Sequence, residues 1–381
     1  MEDIAIIGIG LHPFGRFKGK SALEMGVDAV NDALKDAGVA WKDLQVAYGG
    51  SGHGGYADSL NSKFGFTGLP FYNVFNGCAT AASALIGAAT ALKSGAADLA
   101  LAVGFDKHPV GSFEMDPEEW GLKKWYAENG FMITTQYFAM KIQRYMHDYG
   151  ITNDSLVRVA MKNYYNASLN PKAYRRTALD YDTIANSTML SDPLRQYMFC
   201  SPDEGAAAAI LCRASDAKKY TTRPIYVKAY GLKSRTYESF EVVSPYKAIK
   251  NVPTVVEVTA QAAYKMAGIG PDEIQIAQVQ DTEAGHEIMH IAELGLCKHG
   301  DQEKLIRDGE TQINGRIPVN TDGGLIGNGE PVGASALRQI YEVCLQMRGE
   351  AGAHQVPNPP KTAITQVYGM PGVSAVTILQ R

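Results

Sequence analysis

Five cysteines stand at positions 78, 200, 212, 297 and 344 of this 381-residue chain, and one of them has neighbours suited to chemistry. In Phe75-Asn76-Gly77-Cys78-Ala79-Thr80-Ala81-Ala82-Ser83 a thiol precedes a run of small residues that reads as a helix reaching about Lys93. A thiol at a helix N-terminus feels the positive end of the dipole and the unpaired amide N–H groups, and both favour thiolate, the nucleophilic form. Small side chains around it let a substrate reach the sulfur. The competing reading is a small buried hydrophobe, the commoner role of a single cysteine. The segment alone leaves the two open.

Three further segments gather groups that serve such a nucleophile. The stretch Asn320-Thr321-Asp322-Gly323-Gly324-Leu325-Ile326-Gly327-Asn328-Gly329-Glu330-Pro331-Val332-Gly333 carries enough glycine to bring backbone close to a partner, and Gly333 opens a helix. It lacks the lysine of a phosphate-binding loop. Glu330 at its tip is an acid/base candidate or a solvated loop carboxylate. Residues 278–283 crowd Gln280, Asp281 and Glu283 at the C-terminal end of a buried strand, where open α/β sheets bind ligands. His286-Glu287-Ile288-Met289-His290 matches H-E-x-x-H. A zinc protease would need a third ligand and a scaffold that the pattern does not offer, so the two histidines read as helix-face groups and no metal is expected. Tyr368-Gly369-Met370-Pro371-Gly372 ends a strand in a glycine-rich turn. Its N–H groups suit an oxyanion hole, or the turn is an ordinary one between two final strands.

The elements that position these segments repeat. Residues 4–8 form a strand, Ser21 caps a helix over residues 22–37 that Gly38 closes, and residues 44–48 form the next strand. Residues 33–47 align with 263–277, with identity at Ala33, Lys35, Ala37, Gly38, Gln45 and Ala47. A second echo, in the same order, pairs 78–104 with 333–369, each a small-residue helix start, a helix and a buried strand. Two echoes in order imply an internal duplication. The halves are 1–215 and 222–381, and alternating strands and helices imply α/β layers with largely parallel sheets. Residues 106–200 differ, being rich in Tyr, Met, Trp and charge, and read as a mostly helical insertion over one face. It is either an active-site cover or a flap that stabilises a dimer.

Bulk properties exclude other classes. Net charge is -4 with both signs interspersed, which argues against nucleic acid as a partner. The chain starts acidic and passes straight into an apolar run, unlike a signal peptide, and no window of about 18 uncharged apolar residues suggests a membrane span. Cysteines that are odd in number and lack C-x-x-C spacing suit a reducing cytoplasm.

Together the four segments resemble the thiolase superfamily, especially its sterol-carrier-protein-x type, over nearly the whole chain. Asn76-Gly77-Cys78 resembles the nucleophile loop. Residues 320–338 resemble the N-x-x-G-G…G-H-P-x-G-A motif, and 279–283 occupy the place of H-D-C-F, or of N-E-A-F in other thiolases. The resemblance implies an α/β thiolase fold of two duplicated βαβ-rich halves stacked in layers, with the insertion in the first half. It implies Cys78 as nucleophile, an oxyanion hole from the N–H groups of Cys78 and the 369–372 turn, and Gln280 as an amide donor. Asn328, Gly329, Gly333, Gly369, Gly372 and Asp281 become oxyanion or substrate-binding groups.

The departures from the family pattern are as informative. Glu330 stands where the family has the histidine of G-H-P, and Gln280-Asp281-Thr282-Glu283 replaces H-D-C-F. The second, proton-shuttling cysteine is missing there and in the last loop, where Tyr368 or Gln366 falls near its place. Glu330 then becomes the acid/base, provided burial raises its pKa, with Tyr368 as a second proton donor. The implied reaction is thiolytic cleavage of a bulky branched or aromatic 3-oxoacyl-CoA, with CoA as co-substrate and no other cofactor. A retro-aldolase acting on a 3-hydroxyacyl-CoA, with Tyr368 as base, is the alternative, and a degenerate acyl-CoA carrier a third. The resemblance also implies a homodimer and a small companion subunit built of a zinc ribbon and an OB-fold.

Overall fold

A computed structural model describes residues 3–237, 252–370 and 372–381. Pro371 and residues 238–251, which belong to the expected turn and second half, lie outside the described residues. The first half runs β1 (Ile4–Gly15), α1 (Ala22–Ala37), β2 (Val46–Gly50), α2 (Leu60–Phe64), β3 (Phe71–Asn73), α3 (Thr80–Lys93) and β4 (Leu99–Lys107). The insertion adds α4 (Trp125–Glu128), α5 (Thr134–Tyr149), α6 (Asn153–Leu169), α7 (Tyr181–Ala185) and a small hairpin, β5 (Met189–Ser191) and β6 (Leu194–Arg195). The chain rejoins the sheet at β7 (Glu204–Arg213) and crosses to β8 (Ile225–Ser234). The second half continues with α8 (Val255–Ala267), β9 (Ile276–Gln278), α9 (Ala284–Glu293), α10 (Gln302–Arg307), α11 (Gly324–Asn328), α12 (Ser335–Arg348), β10 (Thr362–Gly369) and β11 (Val373–Gln380).

The first echo seen in the sequence is repeated in local chemistry. Ser21 and Glu24 form a reciprocal capping box on α1, and Thr254 and Glu257 form the same box on α8. Each box satisfies orphan amides at the helix start, worth about 1 kcal/mol. Both helices end on a left-handed glycine, Gly38 at φ 66° and Gly268 at φ 71°, followed by a short 3-10 turn and then a strand. Strand β2 begins later than the sequence suggested because Leu44 closes the 3-10 turn Trp41–Asp43. Strand β1 is longer than expected because it pairs with β7 as far as Gly15.

Among the described residues, nine strands form one sheet in the order β3-β2-β4-β7-β1-β8-β11-β10-β9. The expectation of a largely parallel sheet does not hold. Pairings β2–β3, β2–β4 and β9–β10 are parallel, and the other five are antiparallel. The reason is connectivity. The insertion returns the chain beside β4 in the reverse direction, and β10 and β11 form a hairpin.

Alternation along each strand separates the layers. Ile4 and Ile6 face a core shared with α3 and α12, whereas Ala5 and Ile7 face α1. In β10, Ala363 and Val367 join the core of α3 and α12, while Ile364 and Tyr368 face α8, α9 and the insertion. Helices α3 and α12 are therefore the middle layer, flanked by the two halves of the sheet. The buried alanines of α3, among them Ala81, Ala84 and Ala88, permit that close approach. The insertion packs onto the second half through α5 and α6 against α9 and through α6 against α11.

Candidate active site

Cys78 sits two residues before the first turn of α3, on a loop fixed by its neighbours. The Thr80 hydroxyl donates to the Gly77 carbonyl (2.6 Å) and accepts from the Asn76 N–H (2.9 Å), while Asn76 Nδ2 donates to Ser83 Oγ (2.8 Å). Gly77 has φ 54°, a conformation costly for any residue with a Cβ. The end of β10 lies directly on this loop. A Cβ at Gly369 would stand 2.3 Å from the Asn76 carbonyl oxygen, so only glycine fits there.

The Cys78 side chain is half-buried, and its thiol lies within the electrostatic reach of Glu330. Burial first, and then the Glu330 charge, push its pKa well above the ordinary thiol value. The nearby Cys78 backbone N–H opposes this but does not prevail. The expectation of a ready thiolate is thus overturned. The dipole effect is confined to the first turn, and desolvation beside a carboxylate outweighs it. The group rests as a thiol and needs a base.

Glu330 is fully buried and is the centre of the site. Gln280 Nε2 donates to its Oε1 at 2.6 Å, and Thr282 Oγ1 and Cys200 Sγ each donate to its Oε2 at 3.3 Å. Its backbone N–H donates to the Ser201 carbonyl (2.8 Å), which fixes the loop against the tail of the insertion. Cys200 escaped the reading of the sequence, because 130 residues separate it from Glu330. The available signal was positional, a thiol where the insertion rejoins the sheet. Beside Cys200 lies a cleft of about 390 Å³ whose walls include Thr134, Arg175, Phe199, Ser201 and Thr282.

The remaining candidates stand around this centre in other roles. Asp281 is buried and accepts from the N–H groups of Leu325 (2.6 Å) and Ile326 (3.2 Å), so it caps α11; burial, then Glu287, raises its pKa well above the carboxylate range. Asn328 Nδ2 donates to the carbonyls of Gly324 (2.7 Å) and Asp322 (3.0 Å), which holds the glycine-rich loop in shape. Gly329, at φ 85°, lets the chain pass Asp203. The Gly333 N–H donates to Asp106 Oδ2 (2.8 Å) and the Gly372 N–H to the Gly369 carbonyl (3.0 Å), so both amides are already engaged.

Asp106 locks the glycine-rich segments together. It accepts from Ser51 Oγ, the Gly52 and His53 N–H groups and the Gly333 N–H, and lies 3.3 Å from His108 Nε2. Burial alone would raise its pKa, but these donors and His108 bring it from 3.8 to about 2. A carboxyl depressed on folding adds stability that is present above its unfolded value and is lost as pH falls through the folded one. Asp106→Asn is therefore expected to cost about 2 kcal/mol at neutral pH. The gap between the variant and the native chain should narrow as pH falls from about 4 to 2. Chemical denaturation at pH 7 and pH 3 reads this out, and a gap that does not change between them would refute the assignment.

Tyr368 belongs to a second buried cluster reached by the insertion. Its hydroxyl pairs with that of Tyr137 (2.9 Å), and Lys141 Nζ lies 4.2 Å above its ring. Burial pulls the Lys141 pKa down to about 8 and pushes that of Glu283 up to about 8. The histidines of the H-E-x-x-H segment each turn Nδ1 to a carboxylate, His286 to Glu283 and His290 to Glu293 (2.6 Å). Among the described residues no group of three or more His, Cys, Asp or Glu is arranged to hold a metal ion.

Two half-buried cysteines near a buried carboxylate, one of them on the wall of a cleft in a layered α/β fold, are the groups that thiol-based group transfer uses. The comparisons agree with that class. The thiolase N-terminal domain matches residues 4–215 and the thiolase C-terminal domain-like family matches 246–381, so the chain belongs to the thiolase family. It is 34% identical to an acetyl-CoA acetyltransferase of Methanothermobacter thermautotrophicus over 100% of both chains. It is 29% identical to the benzoylsuccinyl-CoA thiolase subunit BbsB of Thauera aromatica, covering 97% of this chain and 95% of that one. Sterol carrier protein 2 of Bos taurus is 28% identical over 98% of this chain and 72% of its own length. Among solved structures, the Ltp2-ChsH2(DUF35) aldolase matches with TM-score 0.88 and 23% identity, over 100% of this chain and 98% of that chain, which establishes the fold.

Proposed function

We propose that the protein is an acyltransferase that cleaves a bulky branched or aromatic 3-oxoacyl-CoA with CoA. The observation that carries the reading is the buried Glu330 carboxylate, held by Gln280 Nε2 (2.6 Å) and Cys200 Sγ (3.3 Å), close enough to Cys78 to act on its thiol. Glu330 takes the proton from Cys78, and the thiolate attacks the 3-oxo carbon. The alkoxide collapses, the bond between C2 and C3 breaks, and the acyl group stays on Cys78 while a CoA enolate leaves and is protonated at the expense of the proton held on Glu330, which is thereby a base again. CoA thiol then gives its proton to Glu330 and attacks the thioester, and Glu330 returns the proton to Cys78. Gln280, with Nε2 on Glu330, orients that carboxylate.

The assembly we propose is a homodimer with a small zinc-ribbon and OB-fold companion, acting in the cytoplasm without cofactors other than CoA. Exposed aromatic groups along and beside edge strand β3, Tyr72 and Phe75, support self-association. One relative is named as a subunit and the solved neighbour as a two-component aldolase, which supports a companion. All five cysteines are free, and no helix among the described residues is long and apolar enough to cross a membrane.

A retro-aldolase is the second reading, and the Tyr368–Tyr137 pair under Lys141 favours it, since a cation over a phenol favours its ionised form. Stoichiometry separates the two. With 3-oxoacyl-CoA substrates bearing branched or aromatic groups, each cleavage should consume one CoA. Cleavage of 3-hydroxyacyl-CoA with no loss of CoA would overturn thiolysis in favour of the aldolase.

A further inference from the structure

We infer that Cys200 is the proton donor to the α-carbon of the departing CoA enolate, with Glu330 relaying protons between it and Cys78. The assignment rests on the proposed thiolytic function and supplies the step that function leaves open. The segments where the family carries its second cysteine hold Gln280-Asp281-Thr282-Glu283 and Tyr368 here. Cys200 comes from a different place, the junction between the insertion and β7.

Four observations converge. Cys200 Sγ lies 3.3 Å from Glu330 Oε2, on the same carboxylate whose charge acts on the Cys78 thiol. Its position is set by backbone, because the Cys200 N–H donates to the Thr282 carbonyl at 2.9 Å, so the side chain is free to act without moving the loop. Its side chain is half-buried and forms part of the wall of the 390 Å³ cleft, where a substrate reaches it. Finally, the site holds an unsatisfied acceptor. Gln280 is 1% exposed and its Oε1 has no partner among the described residues, although its Nε2 is bonded to Glu330. A buried carbonyl left unpaired beside the carboxylate marks the place where a bound ligand supplies a donor. Burial and the Glu330 charge also keep the Cys200 thiol protonated, the form an acid must have at rest.

The proton balance closes. Cys78 loses its proton to Glu330. The carbon–carbon bond breaks, and the enolate carbon takes the Cys200 proton, which leaves a thiolate. Protonated Glu330 returns its proton to Cys200. The net result is acyl-Cys78, a CoA thioester carrying one new C–H bond, and Cys200 and Glu330 as they began. No oxidant or further reactant is required.

Exchange of α-protons isolates this step. Wild-type protein incubated in D2O with acetyl-CoA and a branched or aromatic acyl-CoA should incorporate deuterium at the acetyl α-carbon and should carry the branched or aromatic acyl group on Cys78. Cys200→Ala is expected to lower the exchange rate by about 10²-fold or more while Cys78 is still acylated. Cys200→Ser keeps the size and the hydrogen bond to Glu330 but is a far weaker acid, so it should not restore exchange. Restoration by serine would assign a structural role and overturn the inference. Exchange unchanged in both variants would also overturn it, leaving the proposed function intact. Wild-type protein that forms no acyl-Cys78 would overturn the function and this assignment together.

Discussion

Alanine at position 78 is expected to lower thiolytic turnover by about 10⁴–10⁶-fold, the scale seen when a covalent nucleophile is removed from its catalytic set. The loss should fall on kcat, because substrate binding relies on the cleft and the surrounding loops. Folding should be nearly unaffected, since the half-buried side chain leaves little cavity behind. Cys78→Ser should recover little, because a hydroxyl beside Glu330 is harder to deprotonate than a thiol. Full turnover in Cys78→Ala would remove covalent catalysis from the account and leave the retro-aldol reading.

Glu330→Gln is expected to have two effects of opposite sense. Turnover should fall by about 10²–10⁴-fold, the usual worth of a positioned acid or base. Cys78 itself should become more acidic. The Glu330 charge is the second-largest influence holding the thiol pKa up, after burial. Removing a negative charge stabilises the thiolate, so the pKa must fall. Alkylation by iodoacetamide as a function of pH measures this, and its midpoint should move to lower pH in the variant. A midpoint that stays in place would mean that Glu330 does not act on Cys78. A shift without a loss of turnover would mean that another group is the base.

How much of this was legible in sequence depended on how local the information was. The helix α1, its cap and its echo in α8 are determined by residues three or four apart, and the capping boxes at Ser21 and Thr254 reproduce that reading in structure. Cys78, Gln280 and Glu330 each lay in a segment with its own motif, and the structure brings those three together. Cys200 had no motif, and its bond to Glu330 depends on the path of a long insertion that local pattern does not specify. Strand direction failed for the same reason, because a buried alanine-rich strand such as β7 looks alike in either sense. Asp281, Asn328 and Gly333 show a different limit. Polar residues that hold a buried loop and polar residues that face a substrate have the same composition, and only their partners tell them apart. The thiolate expectation failed on magnitude, since the pull of a helix end is small beside the cost of burying a charge next to a carboxylate.

The most direct test of the central claim is intact-mass and peptide mass spectrometry after brief exposure to a branched or aromatic 3-oxoacyl-CoA without added CoA. The account predicts one acyl group per chain, mapped to the peptide containing Cys78 and discharged when CoA is supplied. Cleavage of the substrate with an unmodified Cys78, or an adduct on a different cysteine that CoA cannot discharge, would contradict it.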